Sequence, residues 1–143
     1  MKNTILWLAV LSVCFTQCRQ NNAVTKIEMD LSAFGVESDN YPNIHVSIDM
    51  VTGSSEWKKS YYNPKYKDST YSLSKTEIQQ ISLLLKHADL TKLKNKYTIN
   101  LSDQPTSTVT FYTYTGKITI KDYGLMAKYP LAELYKIAYK FNL

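Results

Sequence analysis

The chain predicts an α+β domain: an antiparallel sheet of about five strands with two helices packed on one face, in the order βββαββα. Three observations carry that expectation. Several stretches alternate apolar and polar residues with period two, as strands with one wet face do. Two others space their apolar residues for a helix, one opened by Ser74-Lys75-Thr76-Glu77 and one by Pro130. Glycine-containing segments at 51–55 and 115–116 fall where hairpins would turn.

Taken in order, Ile27, Met29 and Leu31 share one side and Lys26, Glu28 and Asp30 the other, which predicts a half-buried strand. Ile44, Val46, Ile48 and Met50 repeat the pattern, with His45, Ser47 and Asp49 outward. Residues 51–55 turn, and 56–60 return as a third strand. Residues 61–70 (YYNPKYKDST) read as a polar, aromatic loop with Pro64 at its tip. Ser74 and Glu77 form a capping box, and the helix they open carries Ile78, Ile81, Leu84 and Leu85 to about residues 87–89. His87 there is favoured by the helix dipole. Leu90 and Leu93 fit a short packed turn, and 97–105 a loop. Residues 106–114 and 117–123 make a hairpin around Thr115-Gly116, with Val109 and Phe111 facing the core of Ile118 and Ile120. Gly124 ends the strand, and Leu131, Leu134, Ile137, Ala138 and Phe141 stripe the last helix. Each helix has one apolar face to bury, so a sheet with both on one side satisfies them together.

Ahead of this domain lies a leader. Lys2 precedes an apolar run over 5–15, and polar residues 16–22 end it. Eleven residues are too few to span a bilayer, which takes about 20, so the segment reads as a signal peptide. Both cysteines of the chain, Cys14 and Cys18, sit in it. The arrangement resembles a bacterial lipoprotein signal, which implies an acylated cysteine at the cleavage point. Cys18, where polar sequence begins, is the expected lipid attachment and Cys14 the alternative; Gln17 departs from the small residue such signals place there. The expected division is 1–17 signal, 18–25 tether and 26–143 a single domain, held to the bilayer of a bacterial envelope.

Removing the first 17 of 143 residues leaves 126, enough for one core. The loss of Lys2 takes the net charge from +5 to +4. The positive charge is nearly all scattered lysine, with Arg19 the one arginine, unlike the clustered arginine of nucleic-acid grooves. No nucleic-acid partner is expected, and with cysteine confined to the leader and two histidines in the whole chain, no metal and no cofactor. Twelve tyrosines suit half-buried sheet and helix faces or a contact surface.

The second half resembles an uncharacterised family of bacterial lipoprotein domains. The residues that carry the likeness are Ala88-Asp89-Leu90-Thr91-Lys92-Leu93, Asp103-Gln104-Pro105-Thr106, Gly116-Lys117, Ile120-Lys121-Asp122-Tyr123-Gly124 and Pro130-Leu131-Ala132-Glu133-Leu134. Pro42 to Ile48 adds to it, so the match runs in order over about residues 33–143. Typical members open with Cys-Phe-Gly-x-Cys-Pro; Ala33-Phe34-Gly35 keeps its middle without the cysteines, so no redox role carries over. The resemblance implies a fold and an address and no known activity.

No HExxH, GxSxG or glycine-rich phosphate loop is present. Asp103 and Asp122 flank the second hairpin and could meet at the sheet edge beside Tyr97 and Tyr123. Asp in turns more commonly ties down backbone N–H groups. The 61–67 loop, with Tyr61, Tyr62, Lys65 and Tyr66, offers aromatic area and mobile charge. Three functions fit: an envelope module binding a protein or glycan, an inhibitor or immunity protein against a toxin or hydrolase, and a weak carboxylate-based hydrolase. The first is the expected one, with no catalytic residue.

Overall fold

A computed structural model describes residues 23–32 and 41–140. The leader, with Cys14 and Cys18, and the Ala33-Phe34-Gly35 segment lie outside the described residues. Alternation builds the sheet from the five expected strands: β1 (Val24–Ser32), β2 (Asn43–Asp49), β3 (Ser54–Ser60), β6 (Thr106–Thr113) and β7 (Lys117–Tyr123). Register stacks their apolar residues in rows across the sheet. Trp57, Val46, Met29, Val109 and Ile120 form one such row, and Ile48, Ile27, Phe111 and Ile118 another. All but the half-buried Ile118 are buried.

Among the described residues the sheet has seven strands, not five, in the order β4-β3-β2-β1-β6-β7-β5. β4 (Ser69–Tyr71) pairs with β3 inside the stretch expected to be loop. β5 (Lys96–Tyr97) pairs with β7 in parallel, so the sheet is not wholly antiparallel. Two or three residues cannot show a period. They become strand because the edges of β3 and β7 offer unpaired backbone groups, a condition set by the rest of the fold.

Helix α1 (Lys75–His87) starts where the capping box lies: the Ser74 hydroxyl accepts from the Glu77 N–H at 3.2 Å and the Glu77 carboxylate accepts from the Ser74 N–H at 2.7 Å. It buries Ile78 and Ile81, and Lys86 and His87 occupy its last turn, where cations suit the dipole. A 3₁₀ turn, Leu90–Lys92, follows, capped by Asp89. Helix α2 (Leu131–Tyr139) buries Leu131, Leu134 and Ala138 as its stripe predicts, but also Tyr135 and Tyr139, the largest fully buried side chains. Ile137 is only half-buried.

Both helices lie over the apolar face. The Trp57 indole N–H donates to the Ala138 carbonyl at 2.9 Å, and Ile78 and Ile81 join the same core as the strand residues. Lys140, just past α2, pairs with Glu77 of α1, and its ammonium stands 5.1 Å from the Tyr71 ring centroid. The β2–β3 turn needs Gly53, at φ +69°, while the Asp49 carboxylate accepts from the Val51 and Thr52 N–H groups, both at 2.8 Å. Among the described residues, no helix is long and apolar enough to cross a membrane.

Ile81 and Ile120 are fully buried, one from each layer of the core. Truncating either to alanine should cost about 2–5 kcal/mol of stability, as for other buried isoleucines. Urea unfolding followed by Trp57 emission measures it, and a near-neutral Ile120→Ala would contradict this core.

Candidate functional site

The exit of β7 is built from three consecutive residues with three different tasks. Asp122 points to the core face and is fully buried. Its carboxylate accepts from the Met126 N–H at 2.7 Å, the Ala127 N–H at 3.0 Å and the Tyr135 hydroxyl at 3.1 Å. A buried carboxylate is stable only when its lone pairs are met in this way. Tyr123 projects from the other face, donating its hydroxyl to the Leu101 carbonyl at 2.8 Å and accepting from the Gln104 N–H at 3.3 Å. Gly124, at φ +85°, donates to the Pro105 carbonyl, and a Cβ there would stand 2.4 Å from Ile99 Cγ2.

These contacts separate the two aspartates. Asp122 is enclosed beneath α2, whereas Asp103 sits exposed at φ +56° on the loop that Tyr123 holds from the opposite side of β7. The carboxylates therefore do not share a site, and Asp122 has no exposed surface with which to meet a ligand. Tyr97 serves its own loop, its hydroxyl accepting from the Lys94 N–H at 3.2 Å.

Beside Asp122, the rings of Tyr135 and Tyr139 stack with centroids 5.5 Å apart, and the Tyr139 hydroxyl bonds to Ser107 Oγ at 2.8 Å. Burial holds both phenols well above the ordinary tyrosine range, and the negative charge of Asp122 adds to this at Tyr135. The apolar stripe of the helix includes neither tyrosine. Their hydroxyls make them look amphipathic until Ser107 and Asp122 are placed opposite them.

The face of the sheet away from the helices is polar and uncovered by them. One row of paired residues crosses all seven strands there: Thr70, Lys58, His45, Asp30, Thr108, Lys121 and Lys96. His45 Nδ1 lies 2.6 Å from Asp30 Oδ1, and both side chains remain accessible. In the next row the Glu28 carboxylate is held below its ordinary range by its hydrogen bonds to Lys26 and to the Tyr112 hydroxyl. Toward the end of β1 the surface deepens into a 460 Å³ concavity. Asp30, His45, Lys58, Ser60, Asp68 and Thr70 contribute to its wall.

The tyrosine loop that joins β3 to β4 borders this concavity through Asp68, which accepts from the Tyr61 N–H at 3.0 Å. Tyr61 and Tyr66 pack with centroids 5.1 Å apart, and the Lys59 ammonium stands 5.4 Å from the Tyr61 ring. Tyr62 is 75% exposed and Tyr66 43%, and Lys65 is exposed with them. The concavity thus combines the apolar Leu31 and Ile44 with Lys58, Asp30, Asp68 and the hydroxyls of Ser60 and Thr70, and Asp68 joins it to the tyrosine loop. Asp30, His45 and Lys58 could not be singled out by alternation. That pattern shows which residues face outward, while register decides which become neighbours. Among the described residues, no group of three or more His, Cys, Asp or Glu side chains could hold a metal ion.

Residues 40–141 match the family described as a domain of unknown function, DUF6438. The chain belongs to the DUF6438 family. No curated protein and no solved structure matches it. The expectation of an uncharacterised domain family is met to that extent. The DUF6438 region runs from the start of β2 through α2, so it holds His45, Lys58, the tyrosine loop and the whole β7 exit, while Asp30 precedes it.

Two outcomes test the buried cluster. Asp122→Ala would leave the Tyr135 hydroxyl and two N–H groups without their acceptor and should cost at least about 2 kcal/mol in urea unfolding. A wild-type-like midpoint would contradict its structural role. The second outcome concerns alkali. Unfolded tyrosines ionise near pH 10, whereas Tyr135 and Tyr139 keep their protons above it. The folded state then binds more protons than the unfolded one, so stability is full below about pH 10 and falls above it, by up to about 1.4 kcal/mol per pH unit for each tyrosine. Melting temperatures from pH 8 to 11.5 should show the fall, shallower in Tyr139→Phe, and a flat profile would contradict it.

Proposed function

We propose that this protein is a lipid-anchored lipoprotein of the bacterial cell envelope whose domain is a non-catalytic binding module. Its partner, an envelope protein or glycan, is taken on the open sheet face and the bordering tyrosine loop. The observation that carries the reading is the placement of the 460 Å³ concavity: it reaches from Asp30, His45 and Lys58 of the open face to Asp68 of the loop that exposes Tyr62 and Tyr66. Tyrosine supplies amphipathic contact area at low entropic cost, and the neighbouring polar side chains of Lys58, His45 and Asp30 supply orientation. The leader supports the address: a short apolar run ending at Cys18 suits acylation there, with Cys14 as the alternative.

Metabolic labelling with a fatty-acid analogue tests the anchor. Label should enter the wild-type chain and be lost in Cys18→Ser together with release from the membrane fraction. Loss in Cys14→Ser alone would move the anchor, and an unlabelled wild type would overturn it. Capture from envelope extract by the tagged full chain tests the face. Tyr62→Ala with Tyr66→Ala, and separately Lys58→Ala, should lose the partner with an unchanged melting temperature. Undiminished capture by both variants would place the site elsewhere. A captured toxin or hydrolase would make the binding inhibitory.

A further inference from the structure

The topology gives the sheet two unlike ends. β1 enters at Val24, and the β2–β3 turn and the β6–β7 turn lie beside that entry: the Met50 N–H donates to the Thr25 carbonyl at 2.9 Å, and Val24 pairs with Thr113. The concavity and the tyrosine loop lie at the opposite end, where β1 finishes and β3 gives way to its loop. Nine strand residues separate the two, about 30 Å along β1.

The tips of the two turns at the entry end are unlike ordinary turn tips. Val51 is 68% exposed on one and Tyr114 66% exposed on the other, where Gly, Asn, Asp and Ser prevail. Isolated exposed apolar residues need no explanation, but these two sit on the turns that flank β1 at the end where the tether joins. Tyrosine is also a residue of choice at the headgroup level of bilayers. The carboxylates nearby are engaged within their own turns. Asp49 accepts from the Val51 and Thr52 N–H groups, and Asp89 caps the 3₁₀ turn and pairs with Lys92. Lys86 and Lys117 stay exposed along a broad groove between the end of α1 and the β6–β7 turn, and no ion pair holds either among the described residues. Basic groups in that position complement an anionic leaflet.

We propose that this end is a bilayer-contacting surface, with Val51 and Tyr114 seated at the headgroup level and Lys86 and Lys117 facing anionic lipid. The inference rests on the lipid-anchor reading. Cys18 lies six residues before Val24, and that length of chain reaches at most about 20 Å, so an acyl anchor confines the entry end close to the membrane. The arrangement directs the concavity and the tyrosine loop away from the lipid, toward a partner.

Brominated-lipid quenching tests it on the full chain, processed in a bacterial host and reconstituted in phosphatidylethanolamine–phosphatidylglycerol vesicles. An environment-sensitive fluorophore is placed on Val51→Cys, Tyr114→Cys or, at the far end, Tyr62→Cys, all exposed positions. Labels at 51 and 114 should shift to the blue and lose emission with brominated acyl chains, while the label at 62 should do neither. A protein that floats with the vesicles but shows no quenching at 51 and 114, or equal quenching at 62, overturns the orientation and leaves the anchor standing. A protein that does not float overturns the anchor, and the orientation with it.

Discussion

A carboxylate with no exposed surface has to be satisfied by donors that the chain itself brings to it, and the placement of α2 depends on how Asp122 is satisfied. Its three partners all come from the twelve residues that follow β7: two N–H groups in the connection after Gly124 and one hydroxyl from α2. The turn therefore cannot leave β7 in another direction without stranding the charge. From there α2 is clipped to the sheet at three strands, through Tyr135 on Asp122 of β7, Tyr139 on Ser107 of β6 and the Ala138 carbonyl on Trp57 of β3. Hydrophobic burial supplies the drive for this layer, and the three polar contacts choose its position.

The neighbouring residues extend the same control outward. Tyr123 and Gly124 hold the 99–105 segment against the sheet, so β7 is fixed on both of its faces at one point. The Ile120-Lys121-Asp122-Tyr123-Gly124 motif is thereby explained by architecture. With the helices fastened to one side, the other side of the sheet is left polar, with a concavity at one end and a chain entry at the other.

Much of this was legible in the residues themselves. Period-two alternation marks β1, β2, β6 and β7 because one face of each is buried, and Ser74 with Glu77 marks the start of α1 because the capping box is local chemistry. β4 and β5 were not legible, since strands of two or three residues exist only where a neighbouring edge recruits them. Tyr135 and Tyr139 escaped for a related reason. A phenol is a core residue only if a distant group such as Ser107 or Asp122 pairs with its hydroxyl, and that pairing spans 13 residues for Tyr135 and 32 for Tyr139. The open-face row of Lys58, His45 and Asp30 is likewise a product of register across three strands.

Amide hydrogen exchange at Met126 and Ala127 tests the place of Asp122 most directly, because both N–H groups sit in a turn yet donate to a buried carboxylate. If Asp122 organises the β7–α2 connection, these two amides exchange only through the opening that releases the core strands, with protection matching Val109 and Ile120. Exchange as fast as that of the exposed Tyr114 turn would show that the connection opens independently of the core and that α2 is positioned by something else.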